Sequence, residues 1–434
     1  MGMDYSKEPH GVFMVIDNKS FYASVESIKL GLNPMKSILV VLSENDNTNG
    51  GLILATSPMA KKLYHLKNVD RKRDLPDDSR MIIVPPRMNL YIEKNLAVNN
   101  VFRNFAADAD VFPYSIDESI IDMTKSWHLF GNSHKKVARA IQLAVKNQLG
   151  LYTTVGIGEN PMQAKLALDI LAKHDHDMIG ELTYDTFGKV IWPITQLSKV
   201  WSIGKNTAKH LNSIGIESMG DLAHTDPYYL QREFGVIGGQ LFALANGIDR
   251  AHLDEVIKPR SKSVGNSQVL AHDYHNGDDI KVVIREIGEQ VAARLRHHHK
   301  QATTVHLRVG FSYAAKAIGS SSGFAHSQTI DPTDSTNELI SYLLLIFDKY
   351  WHGESVRNLA VSYGNLVDEQ GEQINLFDSI TAQTKKHDVD QLVDDLRDRF
   401  GVNAIMHPYN LKKGATRNKR SGLVGGHNGG NSFK

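Results

Sequence analysis

The stretch PYSIDESIID, residues 113 to 122, sets the tightest limit on how this chain can fold. Its Ile116, Ile120 and Ile121 ask for burial in a sheet, yet Asp117, Glu118 and Asp122 interrupt them. Strand alternation sends adjacent side chains to opposite faces, so Asp117 and Glu118 act together only where a turn or bulge intervenes. Two carboxylates about 4 Å apart repel by roughly 1 kcal/mol in water, and by more when partly buried. Any fold for this chain must bring positive charge to that strand.

With 434 residues the chain exceeds one ordinary core, and several domains are expected. Hydrophobic content of 41% and charged content of 22% belong to a globular protein. No apolar run approaches membrane-spanning length, so no membrane partner is expected. The formal net charge of +1 says little about partners, whereas KKLYHLKNVDRKR (61 to 73) and the last 25 residues or so are locally basic. The absence of cysteine excludes disulfides, thiol nucleophiles and cysteine-ligated zinc, and it fits a cytoplasmic setting.

Periodicity outlines the first half. A strand at Val12 to Ile16 runs into a helix with Phe21, Val25 and Ile28 on one face, and SILVVL is a second strand. SPMAKKLYHLK reads as a helix with Ser57 as N-cap and Pro58 at its first position. Residues 88 to 107 read as helix, VFPYSIDESIIDMT as strand–turn–strand, and SHKKVARAIQLAVKNQLG as an amphipathic helix ended by Gly150. The strand LYTTVGIG and the helix NPMQAKLALDILAKH follow.

The organisation then changes. VWSIGKNTAKHLNSIGI has the pattern of a helix-hairpin-helix, and FGVIGGQLFALANGI resembles a weaker second copy. Such a turn offers backbone N–H groups and a helix N-terminus to a phosphate, which makes Ile203, Gly204 and Lys205 candidate DNA contacts. DEVIKPRSKSVGNSQVL reads as an exposed basic linker before a further α+β unit, with helices at 279 to 297 and 334 to 350. In TTVHLRVGFSY, alternation puts Val305, Leu307, Val309 and Phe311 on one face, with His306 and Arg308 on the other. That polar face suits either phosphates or solvent. The cluster RHHHK (296 to 300) stands at a helix end, where basic side chains oppose the helix dipole, and is read as structural.

IDNKSFYASVE, SIDESIID, VGIGENPMQAKLA and WSIGKNTAKHL, in this order, resemble the motifs of the Y-family translesion DNA polymerases, in particular the SOS-mutagenesis branch of UmuC- and ImpB-like bacterial proteins. The resemblance covers roughly residues 11 to 367 in unbroken order, which is more specific than any one motif. It implies an α+β multidomain right-hand fold. The palm would be 11–22 and 88–172, the fingers 23–87 and a helix-hairpin-helix thumb 173–256. A linker at 257–265, an α+β little finger at 266–367 and a tail at 368–434 would follow. It further implies that Asp17, Asp117 and Glu118, with the carbonyl of Asn18, hold two Mg²⁺ ions, and that Tyr22 is a steric gate against ribonucleotides. Phe21, Lys62 and Lys165 would contact the incoming nucleotide, with Lys62 standing where many relatives carry arginine; Arg308 would contact DNA. Met59 and Lys19 depart from the family pattern in the same region. Asp122 is read as a cap near the hairpin rather than as a ligand.

EQINLFD resembles the bacterial sliding-clamp motif through Gln373, Leu376 and Phe377. The expected partners are primer–template DNA, deoxynucleoside triphosphates, the sliding clamp and an accessory SOS subunit. For the remaining helix and basic tail the hypothesis is nonspecific DNA contact. Two other classes compete: a catalytically silent adaptor that joins DNA to the clamp, and another palm-based nucleotidyl enzyme such as a cyclase. The acids argue against the first, while the thumb, little finger and clamp motifs argue against the second.

Overall fold

Strand β1 (Phe13–Asn18) is the middle strand of a five-stranded sheet, and Met14, Val15 and Ile16 are fully buried. The structure, a computed structural model, describes residues 3–43, 51–255, 263–317, 321–369, 380–424 and 427–428. After β1 come α1 (Phe21–Lys29), β2 (Leu39–Leu42), β3 (Ile53–Thr56), α2 (Pro58–Tyr64), β4 (Ile82–Val84) and α3 (Met88–Phe102). Next are β5 (Val111–Pro113), β6 (Glu118–Asp122), α4 (His134–Leu149), β7 (Thr153–Gly158), α5 (Pro161–Leu166) and β8 (Ile179–Leu182). The main sheet has the order β5–β6–β1–β7–β8. Met14 and Ile16 pack with Phe21, Tyr91, Phe102 and Ile141, while Val15 packs with Ala164, Leu168 and Ala172. Helices therefore cover both faces, and a strand covered twice reads as a continuous apolar run.

A smaller sheet, β3–β2–β4, lies between α1 and α3 in the chain. Helix α2 starts as its sequence predicts, with Ser57 Oγ accepting from the Ala60 N–H at 3.4 Å and Pro58 in the first turn. Gly150 ends α4 at φ +71°, a left-handed position that favours glycine.

The next unit is helical: α6 (Tyr184–Ile191), α7 (Lys205–Ser213), α8 (Met219–His224), α9 (Pro227–Phe234) and α10 (Val236–Ala245). Ahead of the SIGK turn stands only one 3-10 turn, Leu197–Lys199, instead of a full helix. Pro193 lies just past the end of α6 and leaves too few residues for more. The second hairpin is a true helix pair that bends at Gly235, φ +63°. A Cβ on Gly238 would stand 2.1 Å from the Leu230 carbonyl oxygen, so glycine is what lets α9 and α10 touch.

The last unit comprises β9 (Val264–Tyr274), α11 (Gly277–His297), β10 (Lys300–Phe311), α12 (Tyr313–Ala317), β11 (Gly323–Thr333), α13 (Thr336–Tyr350) and β12 (Val356–Gly364). Its antiparallel sheet has the order β11–β10–β12–β9 and packs against α11 and α13. Val305, Leu307, Val309 and Phe311 face that core, and Arg308 faces out. The stretch read as an exposed linker through Leu270 is, from Val264 onward, an edge strand paired with β12. Its residues up to Val269 alternate between half-buried and exposed, which gives it a linker-like composition. Residues 257–262 lie outside the described part.

Helix α14 (Ile380–Phe400) and the segment after it dock on α11. Glu286 is 0% exposed and Glu289 2% exposed, and charges so placed need partners. Glu289 accepts from Arg397 at 2.6 Å, Tyr409 at 3.0 Å and Arg417 at 3.1 Å. Glu286 accepts from the Thr416 N–H at 2.9 Å and hydroxyl at 2.8 Å, and its own carbonyl accepts from Arg420 at 3.0 Å. The expectation of DNA contact by the tail is thereby corrected for Arg397, Arg417 and Arg420, whose charges are spent inside the fold. Removing one partner of a buried pair costs about 3–5 kcal/mol. Glu289→Ala is expected to destabilise by that order in urea denaturation, and unchanged stability would mean that the segment does not dock there.

Candidate active site

The end of β1 and the turn before β6 meet. Pairing puts Asp17 opposite Glu118 on one side and opposite Thr154 of β7 on the other. Asp117 precedes the strand: Tyr114 and Ser115 donate their N–H groups to the Glu118 carbonyl, each at 2.9 Å, closing a tight hairpin. Ser115 Oγ accepts from the Glu118 N–H at 3.0 Å and donates to Asp117 Oδ1 at 2.8 Å. The Asn18 N–H and side-chain amide both donate to the Asp117 carbonyl, at 2.9 and 3.1 Å. This turn frees Asp117 and Glu118 from strand alternation. Asp122 accepts from the Thr124 N–H at 2.9 Å, a cap at the far end of β6.

Asp17 and Asp117 border a cavity of about 590 Å³ lined also by Asn18, Lys19, Phe21, Tyr22, Lys61 and Lys173, with Leu54, Ala55 and Pro58 completing the wall. Ser20, at φ +50°, turns the chain from β1 into α1, so the α1 N-terminus borders the cavity and favours negative charge there. The Tyr22 ring stacks on Tyr91 with centroids 4.3 Å apart. Tyr91 in turn donates its hydroxyl to buried Glu26 at 2.7 Å, and Arg87 pairs with the same carboxylate.

Burial, reinforced by the nearby Asp117 and Glu118 charges, pushes the Asp17 pKa up to about 7, against the opposing pull of Lys173 and Lys165. Burial also lowers the pKa of Lys61, with Lys19 and Lys173 adding repulsion while Asp17 and Asp117 oppose it. For Lys173, burial works against the charge, but the hydrogen bond to Asp169 and the fields of Asp17, Asp169 and Glu118 outweigh it and raise the pKa. Tyr22 is raised by burial and then by Asp117.

Glu118 is held from the other side. Its two oxygens accept from Lys165 Nζ at 2.7 and 2.9 Å; Lys165 also lies 3.4 Å from Asp169, and Lys173 donates to Asp169 at 2.7 Å. After α5 the helix widens into a π-turn at Ala167–Leu171 and closes with a 3-10 turn. Gly156 and Gly158 let this segment press onto β7, since Cβ atoms there would lie 2.1 and 2.3 Å from the Ala164 backbone.

Sequence reasoning thus finds Asp17, Asn18, Phe21, Tyr22 and Asp117 on the cavity wall. Glu118 is beside them but tied to Lys165, and Lys165 is buried beneath it instead of lining the cavity. Lys61 and Lys62 are both exposed at their surfaces, but only Lys61 lines the cavity. Lys61, Lys173 and the lining Lys19 were missed as cavity charges: one residue turns a helix by about 100°, and the π-turn leaves no mark in a 3.6-residue pattern. Ile203 is buried in the helical unit, whereas Gly204 and Lys205 are exposed at the start of α7. Gln373, Leu376 and Phe377 lie outside the described residues.

The donor set fits a hard divalent cation: every candidate ligand is an oxygen, Asp17 is crowded by like charge, and the buried Asn18 Oδ1 has no hydrogen-bond partner. With Glu118 tied to Lys165, no three acidic or imidazole side chains among the described residues already stand in ligand geometry.

The impB/mucB/samB family matches residues 16–169, and the C-terminal domain of the same family matches residues 261–376. The protein UvrX of Bacillus subtilis is 35% identical, with 98% of this chain and 99% of that one covered. DNA polymerase IV 2 of Bacillus subtilis is 31% identical over 96% of this chain and 98% of its own length. A solved Y-family DNA polymerase chimera of Dbh and Dpo4 superposes with a TM-score of 0.64 at 17% identity, covering 82% of this chain and 99% of the chimera. At that identity the likeness speaks for the fold. No described helix is long and apolar enough to cross a membrane.

Proposed function

Since this chain belongs to the impB/mucB/samB family of Y-family DNA polymerases, we propose that its cavity joins a deoxynucleotide to a primer end opposite damaged template bases. It is a DNA-directed DNA polymerase of the translesion class, and enzymes of this family depend on metal ions. The observation that carries the residue-level reading is the pairing of Asp17 with Glu118, with Asp117 in the adjoining turn, beside a cavity large enough for a nucleotide.

In this reading Asp17, Asp117 and Glu118, with the Asn18 carbonyl, hold two Mg²⁺ ions. When bound, such ions lower the pKa of the primer 3′-hydroxyl and neutralise charge on the departing pyrophosphate. Lys19, Lys61, Lys173 and the N-terminus of α1 draw the triphosphate into the cavity and orient it. Lys61 takes the role first given to Lys62, because it lines the cavity. Tyr22, backed by Tyr91, blocks the space of a ribose 2′-hydroxyl, and Phe21 supports it from the same turn. The primer oxygen forms a bond to the α-phosphorus as the bond to pyrophosphate breaks, so the residues act by position and charge.

Two surfaces suit the DNA backbone. Gly204 has an ordinary φ and no atom near its absent Cβ, so nothing inside the fold requires glycine there; close approach of a phosphate to the α7 N-terminus does. On the outer sheet face Arg308 pairs with Ala325 and Ala360, a low platform that exposes one cation. Neither surface reads bases, which suits a polymerase that accepts any template. The Gln373, Leu376 and Phe377 motif supplies the link to a sliding clamp. The silent-adaptor reading is disfavoured because all three acids are retained.

Loss of a metal-binding carboxylate removes several kcal/mol of transition-state stabilisation, which is at least about a hundredfold in rate. Asp117→Asn is therefore expected to abolish most primer extension with Mg²⁺, and extension at the normal rate would sink the metal assignment. Tyr22→Ala is expected to raise ribonucleotide insertion about tenfold or more relative to deoxynucleotide insertion; an unchanged ratio removes Tyr22 as the gate. Replacing Leu376 and Phe377 together with alanine is expected to abolish stimulation by the clamp while leaving unassisted synthesis intact. Undiminished clamp binding in a pull-down would refute that link.

A further inference from the structure

The cation nearest the candidate metal ligands is Lys165, and its ammonium is held by carboxylates beside the cavity instead of lining it. Lys165 is 8% exposed and both Glu118 oxygens accept from its Nζ. Asp169 stands 3.4 Å away, and is itself satisfied by Lys173 at 2.7 Å. The chain runs carboxylate, ammonium, carboxylate, ammonium, through Glu118, Lys165, Asp169 and Lys173. Three features hold it in place: the close approach permitted by Gly156 and Gly158, the π-turn that carries Asp169, and the α5 cap in which Asn160 accepts from the Gln163 N–H at 2.9 Å. While Lys165 holds both Glu118 oxygens, a divalent ion gains less from that carboxylate, because the ammonium repels it at short range.

We propose that Lys165 is a positioning residue that occupies Glu118 in competition with a divalent cation, so that the metal site completes itself only when Lys165 is drawn off by a nucleotide's phosphates. The inference rests on the metal reading of Asp17, Asp117 and Glu118. Its consequence is ordered assembly: the enzyme without nucleotide binds cation weakly, and nucleotide and metal strengthen each other's binding, as reciprocity between coupled sites requires. Lys173 is already committed to Asp169 and lines the cavity, so it provides a standing charge while Lys165 exchanges partners.

Mn²⁺ titration followed by electron paramagnetic resonance, on the full chain without DNA, reads metal affinity independently of catalysis. Lys165→Gln, which still donates a hydrogen bond to Glu118 but carries no charge, is expected to bind Mn²⁺ on the order of tenfold more tightly than wild type. A non-hydrolysable deoxynucleoside triphosphate should tighten Mn²⁺ binding in wild type and much less in the variant, while Lys165→Arg should return to weak binding. Equal Mn²⁺ affinity in wild type and Lys165→Gln, both folded by thermal denaturation, would overturn the proposal; if Lys165→Gln does not fold, the same comparison between wild type and Lys165→Met decides it. Asp117→Asn separates the two layers. If it leaves Mn²⁺ binding unchanged, the metal reading fails; if it weakens binding while the Lys165 variants do not change it, only the competition fails.

Discussion

The alignment of β1 with β6 is the constraint on which the site depends. Asp17 faces Glu118 only because Phe13 faces Asp122 and each residue between keeps its partner. A slip of one residue would send Asp17 to the other face of the sheet. The register is enforced by burial, since Met14, Val15 and Ile16 each fill a core with no exposed surface. Convergence of the acids is thus a consequence of apolar packing several residues away. Ionisation of Asp17 is disfavoured there, first by burial and then by the repulsion of Asp117 and Glu118, so its pKa is raised. The fold accepts that repulsion because the core contributes far more: each fully buried side chain of this size is worth about 1.5–3 kcal/mol.

Much of this was legible in the residues. The interrupted run at 113 to 122 announced a turn between strands, and Ser115 supplies its hydrogen bonds. Gly150, Ser57 and Pro58 marked helix ends that are found where they stand. What stayed hidden has physical causes. Strands β3, β4 and β8 have three or four residues each, too few to express a period. Strand β9 is an edge strand whose small polar residues look like a linker. The charges of the cavity depended on details below the reach of pattern: which of two adjacent exposed lysines borders the cavity, and whether one helical turn is wider than its neighbours. Nothing in the local pattern marks Glu286 and Glu289 as buried, because their partners lie more than a hundred residues away.

Those two glutamates also bear on how charge in this chain should be read. A near-neutral total of +1 is compatible with a nucleic-acid enzyme because the cations are not equivalent. Arg87 neutralises Glu26 behind the Tyr22–Tyr91 stack. Arg296 binds Asp394 at 2.7 Å, and Arg397 and Arg417 bind Glu289, all within the last unit. These pairs set geometry, and they contribute little to the field outside. A buried ion pair is seldom more stable than a well-packed apolar substitute. Its effect here is directional: a guanidinium with fixed hydrogen bonds admits one arrangement of α14 and the following segment on α11, where an apolar contact would tolerate several.

The charge that remains for a polyanionic partner is therefore what internal pairing leaves over. It includes Lys19 and Lys61 on the cavity wall, Lys205 at the α7 N-terminus and Arg308 on a sheet face bordered by alanines, while Lys173 lines the cavity but is paired with Asp169. The cavity cations share the site with carboxylates, so each sign of charge tempers the attraction of the other for ions. In the proposed reading, triphosphate and metal ions arriving together would satisfy both halves at once, since each would bring the countercharge that the other's ligands need. In that reading, the penalty for half-occupancy is the uncompensated charge of the opposite half.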